Sequence, residues 1–316
     1  MVAAAAETGQ GSKEITLIKA PSNLGLRPPS SGREPGTWQA PTVLARAGLD
    51  AGLRPEEIIE LERSPYDFGA QPGTRLRNGA TMRRFNEAVA NAVAHALAAG
   101  RLPVVIGGDC SILLGVLAGA RRQGELSLVY IDGHSDFRHP GNYDPTSVLG
   151  AVAGMDLALA TGRGEALMTD WDGRPAPLVP DTRVVQIGDR ETRDADYVWR
   201  DIFDTDITQL DIFWVREHGI AATLRRAFEI LDGAPDLPFW THLDVDVLDQ
   251  MIMPAVDSPG SPGLDYSEVS ELVRGFLASP RCLGLNVTIF DPDLDPDGVY
   301  APRIVRMLLA GLEPVR

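Results

Sequence analysis

The sequence predicts an α/β fold, with a mostly parallel sheet flanked by helices on both faces. Two observations predict it. Short apolar runs alternate along the chain with longer stretches of helical periodicity, and that alternation builds parallel sheets. Several of the runs also end in clustered polar residues, and in open α/β sheets the strand carboxyl ends are where ligands bind. The length of 316 residues allows one large domain with a full core of its own.

The elements follow in order. Residues 1–14 read as a disordered tail, and 15–316 as a single domain. ITLIKAP (15–21) reads as a short buried strand. A Pro/Gly/Ser-rich loop follows, and a helix starts near Pro41, where proline is tolerated in a first turn. EEIIELE (56–62) is a second strand, and 64–75 is another loop. Residues 80–99 carry apolar groups at helical spacing and stop at Gly100. LPVVIGG is a strand ending in glycines, followed by the helix DCSILLGVLAGARRQG. SLVYIDGHSD (127–136) runs from an apolar strand into polar residues, and 182–188, 238–246 and 281–290 repeat that pattern. Further helices fall at 211–231 and 266–279.

Composition narrows the function classes. A net charge of −15 and a pI near 4.7, with no Lys/Arg-rich block, argue against nucleic acid and anionic membrane as partners, and leave room for a cationic small molecule. Two cysteines, Cys110 and Cys282, do not indicate a disulfide framework. No stretch reaches membrane-spanning length, and the alanine-rich start lacks the basic and apolar regions of a secretory signal. A cytoplasmic location is the expectation. There is no phosphate loop of the G-x-x-x-x-G-K-[ST] type and no G-x-S-x-G elbow.

Three strand ends carry the chemistry: GGDCS (107–111), DGHSD (132–136) and HLDVDVLD (242–249). DGHSD places Asp132, His134 and Asp136 at alternate positions, and LDVDVLD does the same with Asp244 and Asp246. Carboxylates and an imidazole converging in one pocket repel one another unless a divalent cation lies between them. A carboxylate-rich set with one imidazole suits manganese, iron or zinc. Cys110 reads either as a buried small hydrophobe or as a further ligand, and covalent chemistry between it and His134 stays open. His242 either lines the rim of the site or is structural. In GDRETRDAD (188–196), Arg190 or Arg193 could receive a substrate carboxylate, with surface ion pairing as the alternative.

In combination and in order, these motifs resemble the ureohydrolases: arginases, agmatinases, formimidoylglutamases and guanidino-acid hydrolases. GGDCS resembles the family's GGDHS, DGHSD its D-A-H-x-D, and HLDVDVLDQMIMPAVDSPGSPGL its S-x-D-x-D-x-x-D-P…G-x-P…GGL; GTWQAPTVLARAGL resembles its early loop and helix. The resemblance implies a three-layer α/β/α fold with a central parallel eight-stranded sheet. It also implies a trimer or hexamer, and two manganese ions bridged by a hydroxide that attacks a guanidinium or formimino carbon. Carried over residue by residue, His134 and Asp246 serve one ion, Cys110 and Asp136 the other, and Asp132 and Asp244 bridge both.

The departures from the pattern shape the functional expectation. Cys110 stands where the family has a histidine ligand, and a soft thiolate favours zinc or iron over manganese. Ile289 of GLNVTIFDP aligns with the glutamate that grips guanidinium in A-L-D-L-V-E-V-N-P, and an apolar side chain cannot pair a buried cation. Leu149 aligns with a histidine that assists proton transfer, and Gln250 stands where the family has proline. The sequence therefore leans towards an enzyme, a metal-dependent hydrolase that uses metal-bound hydroxide on a non-peptide C–N bond in a linear amide, formimino or modified guanidino group. Asp136 or His242 would handle the proton. Two alternatives stand beside it. One is a true guanidino hydrolase of arginase or agmatinase type with rearranged binding, using acids such as those of DPDLDPDG (291–298). The other is a non-enzymatic relative with a partial metal site. Residues 22–40, 64–76, 137–148 and 189–200 are the expected specificity loops.

Overall fold

A computed structural model describes residues 13–173 and 177–313. Most of the tail read as disordered, residues 1–12, lies outside that range. Its last two residues are placed, and the Lys13 ammonium donates to the Cys282 carbonyl at 3.1 Å.

Eight parallel strands form one sheet: β1 (Ile15–Ala20), β2 (Glu57–Glu60), β3 (Leu102–Gly107), β4 (Ser127–Ile131), β5 (Val184–Ile187), β6 (Thr208–Leu210), β7 (Phe239–Asp244) and β8 (Cys282–Thr288). Their spatial order is β2-β1-β3-β8-β7-β4-β5-β6. The chain leaves β3, crosses to β4 and later returns to lay β7 and β8 in the gap, so the sheet centre is where the winding reverses. Ligand crevices form at such a point because loops on either side lead away from each other.

The central strands alternate between two cores. Leu17, Val104, Ile106, Val129, Ile131, Phe239 and Leu243 face one; Ile18, Val105, Leu128, Tyr130 and Trp240 face the other. Helices α3 (Gly79–Ala98), α4 (Ile112–Arg121), α5 (Asp156–Ala160) and α6 (Ala166–Thr169) cover the second core. Helices α1 (Ala40–Arg46), α2 (Leu49–Leu53), α7 (Ile212–His218), α8 (Ile220–Leu231), α9 (Tyr266–Leu277) and α10 (Ala301–Gly311) cover the first. The result is the three-layer α/β/α architecture. No helix among the described residues is long and apolar enough to cross a membrane.

The structure corrects several sequence expectations. β4 stops at Ile131, so DGHSD lies wholly in the loop beyond it. The helix expected over 211–231 is two helices, broken where Gly219 adopts φ 80°. β6 and α10 had no counterpart in the sequence reading. Both cysteines are free and buried.

Candidate metal centre

Each cluster hangs from the carboxyl end of a central strand. β3 ends in Gly107-Gly108, and a Cβ on Gly108 would sit 1.6 Å from the Ser22 carbonyl oxygen, so the turn closes only on glycine. The next residue, Asp109, accepts from Ser22 Oγ at 2.6 Å, Gly25 N at 3.1 Å and Ser111 N at 3.0 Å. It fastens the 22–26 loop to the turn and leaves Cys110 pointing into the site. Beyond β4, Asp132 Oδ1 accepts from His134 N at 2.7 Å, a tight Asx turn. Asp136 sits at φ 43°, a left-handed conformation that aspartate tolerates. Beyond β7, Asp244 Oδ1 accepts from Asp246 N at 2.7 Å and starts a short 3-10 turn. The two acidic motifs thus curl in the same way and face each other.

The donor atoms converge in overlapping groups. One atom each from Asp132, His134 and Asp246 lie within 4.8 Å of one another; so do Cys110, Asp132, His242 and Asp244, and so do Cys110, Asp136 and Asp156. His134 Nδ1 is 2.9 Å from Asp246 Oδ2, and Cys110 Sγ is 2.6 Å from Asp244 Oδ2. All six residues expected from the motifs to hold metal therefore meet. Asp156, on α5, is a carboxylate the sequence reading missed. It is fully buried, and its Oδ1 and Asp136 Oδ2 each lie 3.0 Å from the Tyr130 hydroxyl.

The electrostatics are those of too many acids out of water. Burial, then the neighbouring carboxylates, push Asp136 and Asp244 well above the usual carboxyl range. Burial and Asp246 bring Asp132 up to about 6. Burial and then Asp244 push the Cys110 thiol up as well. Asp246 goes the other way: burial alone would raise it, but the facing His134 and then Arg190 outweigh that and hold it low. Burial lowers His242 to about 3, so the ring is neutral. Asp132 Oδ2 and Asp156 Oδ2 are buried without any hydrogen-bond partner. Orphaned carboxylate oxygens among mutually repelling acids are what a divalent cation satisfies, so the donor set fits the metal.

Above these groups is a pocket of about 290 Å³. Cys110, His134, Asp136, Asp244 and Asp246 line it together with Ile289, Ala153, Arg27, Arg138, Glu191, Trp199 and Asp257. Three of the expected specificity loops contribute lining residues. Segment 64–76 does not; Arg75 instead holds the 137–148 loop through the carbonyls of Pro145 and Thr146. Arg193 takes the surface ion-pair alternative, and Arg190 follows neither reading. Arg190 is buried beneath the site, donating to the Asp246 and Pro262 carbonyls. Arg193 forks onto Asp211. Neither lines the pocket, because each is held by acceptors on its own side of the sheet end. The guanidiniums that do are Arg27 and Arg138. Trp199 is also a pocket residue, with the Arg138 guanidinium 5.5 Å from its ring. Ile289, at the position of the expected glutamate, has φ 72°, an unusual conformation for a β-branched residue.

The match to known proteins spans this whole arrangement. Residues 13–311 fit a family model described as Arginase family. The chain belongs to the arginase family. "Arginase-1" of Sus scrofa is 26% identical over 307 residues, covering 95% of this chain and 91% of that protein. The arginase of Bacillus caldovelox is 29% identical over 286 residues, 86% of this chain and 88% of that one. In structure, the Bacillus caldovelox arginase superposes with a TM-score of 0.82 at 24% identity, covering 95% of this chain and 98% of its own. A formimidoylglutamase from Bacillus subtilis superposes at 0.70 and 20% identity, covering 97% and 88%. The chain thus carries a ureohydrolase-fold site with Cys110 in the cluster where the family pattern has histidine. Its donor set is consistent with a metal-dependent C–N hydrolase.

Proposed function

We propose that this arginase-family protein is a hydrolase that binds two divalent cations and cleaves a non-peptide C–N bond in a linear amide, formimino or modified guanidino group. The observation that carries the reading is the convergence of Cys110, Asp132, His134, Asp136, Asp244 and Asp246 under a pocket whose wall offers Ile289 instead of a carboxylate. His134 and Asp246 would hold one cation, Cys110 and Asp136 the other, with Asp132 and Asp244 between them. Manganese is the family's metal; the Cys110 sulfur favours zinc or iron. Bound there, such cations supply Lewis acidity that polarises the scissile carbon and makes water nucleophilic at neutral pH.

The chain's own groups do the rest. Asp136, whose Oδ2 accepts from the Tyr130 hydroxyl, would take the proton that the attacking water gives up and return it to the leaving amine. His242, fully buried and absent from the pocket lining, neither lines the rim nor reaches a substrate proton. Arg138, stacked 4.3 Å over the Tyr143 ring, offers a fixed cation at the mouth, which suits a substrate with an anionic tail. Ile289 leaves a full guanidinium unpaired and so favours a less basic reacting group. A guanidino hydrolase with rearranged binding is the second reading, favoured by Glu191 and Asp257 on the pocket lining. We further propose a cytoplasmic homo-oligomer in a single domain over 15–316.

The test is metal content per chain after loading with manganese and, separately, zinc, followed by turnover assays on amides, formimino compounds and guanidines. About two metals per chain and turnover of the less basic substrates are expected. One metal or none after loading would end the two-metal reading and favour a single-metal or non-enzymatic relative. Turnover confined to free guanidines would favour the second reading.

A further inference from the structure

By distance alone His242 is a metal ligand, since its Nε2 clusters with Cys110, Asp132 and Asp244. The hydrogen bonds behind the ring say otherwise. Trp240 Nε1, which can only donate, points at Asn286 Oδ1 at 2.8 Å. That fixes the amide: its oxygen faces the indole and its NH2 faces the other way. The NH2 donates to His242 Nδ1 at 2.7 Å, so Nδ1 is an acceptor and carries no proton. A neutral imidazole with a bare Nδ1 carries its hydrogen on Nε2. It has no lone pair there to give a metal. The ring cannot turn away, because it is fully buried and stacked on Tyr130, with centroids 4.7 Å apart.

The Nε2–H has no partner, and neither does Asp132 Oδ2, which lies 4.0 Å from it. A donor and an acceptor, both buried and unpaired, face each other across a gap about 1 Å too long for a direct bond. We propose that His242 is a positioning residue and not a ligand: the Trp240–Asn286–His242 chain presents an Nε2–H that holds Asp132 Oδ2 when Asp132 takes its place between the cations. Such a donor favours the ionised carboxylate and decides which of its lone pairs remain for metal. This rests on the metal-centre reading above, but the tautomer can be read without any metal.

The experiment is a long-range proton–nitrogen correlation spectrum of the full chain labelled with 15N histidine, with His242 assigned by loss of its signals in His242→Gln. A neutral Nε2–H tautomer in the metal-free protein, with that proton retained after zinc loading, is expected. An Nδ1–H tautomer, or loss of the Nε2 proton on loading, overturns the proposal. Asn286→Asp then replaces the donor to Nδ1 with an acceptor, and should flip the ring to Nδ1–H and let zinc capture Nε2. An unflipped ring in that variant contradicts the relay. If Asn286→Asp fails to fold, zinc affinity decides. His242→Phe should bind about tenfold more weakly or worse, while His242→Gln, which keeps a donor, retains most of the affinity. Equal affinity in wild type and His242→Phe removes the positioning role. Failure of zinc to bind a chain that shows the Nε2–H tautomer rejects the metal centre and the role together, while the tautomer assignment stands.

Discussion

Cys110 and Ile289 are the two side chains that set this protein apart at its reacting end. Cys110 lies between Asp244 Oδ2 and Thr288 Oγ1 (3.2 Å), and burial pushes its thiol up; a cation bound there would draw the proton off. Replacing it with histidine exchanges a soft donor for a nitrogen. Cys110→His should tighten manganese binding by about tenfold relative to zinc, as read by titration calorimetry with each metal. An unchanged preference would mean the sulfur is not a ligand. Ile289 forms part of the wall where a carboxylate would clasp a cation. Ile289→Glu supplies a charged acceptor, and a charge-assisted hydrogen bond contributes about 1.5–3 kcal/mol, so affinity for a guanidinium inhibitor should rise by about tenfold or more. No gain would show that substrates enter along another wall. Most of the centre was legible in sequence because its ligands come in short local motifs whose spacing is itself the signal. Asp156 was not legible: it stands alone at the start of a five-residue helix and reaches Asp136 only through the fold. Arg138 follows the DGHSD motif by two residues, yet nothing local distinguishes a pocket guanidinium from a solvated one.

At the scale of elements, the strands that carry the site are the ones the sequence marks best, since burial on both faces makes them largely apolar until their carboxyl ends. β6 failed that criterion. It is a three-residue edge strand, Thr208–Leu210, with two polar residues. The 211–231 helix failed for a different reason, because apolar periodicity continues across Gly219 while the backbone does not. The turn from β3 into α4 is the tightest device near the site. Gly108→Ala drives a methyl group into the Ser22 backbone, and it should cost about 1–3 kcal/mol, seen as a lower denaturant midpoint. It should also loosen metal binding, since Cys110 is two residues on. A variant of wild-type stability would mean that the 22–26 loop gives way freely.

Over the whole molecule, buried acid is a liability that depends on pH. Asp132, Asp136, Asp156 and Asp244 are all raised in the fold, the first to about 6. A carboxyl with a raised folded value holds its proton in the native state after the unfolded chain has lost it. These four carboxyls therefore favour the metal-free fold most near or below the unfolded carboxyl value of about 4, while His242, lowered to about 3, works the other way below its ordinary value of about 6.5. The carboxyls' contribution is lost as pH rises through the folded values, for Asp132 between about 4 and about 6. Bound cations reverse that trend by replacing the protons. The gap in melting temperature between the metal-loaded and the metal-free chain should widen as pH is raised from 5 to 8. A constant gap would mean these carboxyls are not what the metal neutralises.

The buried sulfur has an optical consequence. Oxygen and nitrogen donors leave divalent cobalt with weak colour, whereas a thiolate bonded to it adds an intense charge-transfer band in the near ultraviolet. Among the described residues the clustered donors include a single sulfur, on the Cys110 side, while His134 and Asp246 form the far side. Cobalt entering the two halves would therefore give two different spectra. The order in which the halves fill, and the moment either one loses its ion to a chelator, would be readable from absorption spectra of a single cuvette.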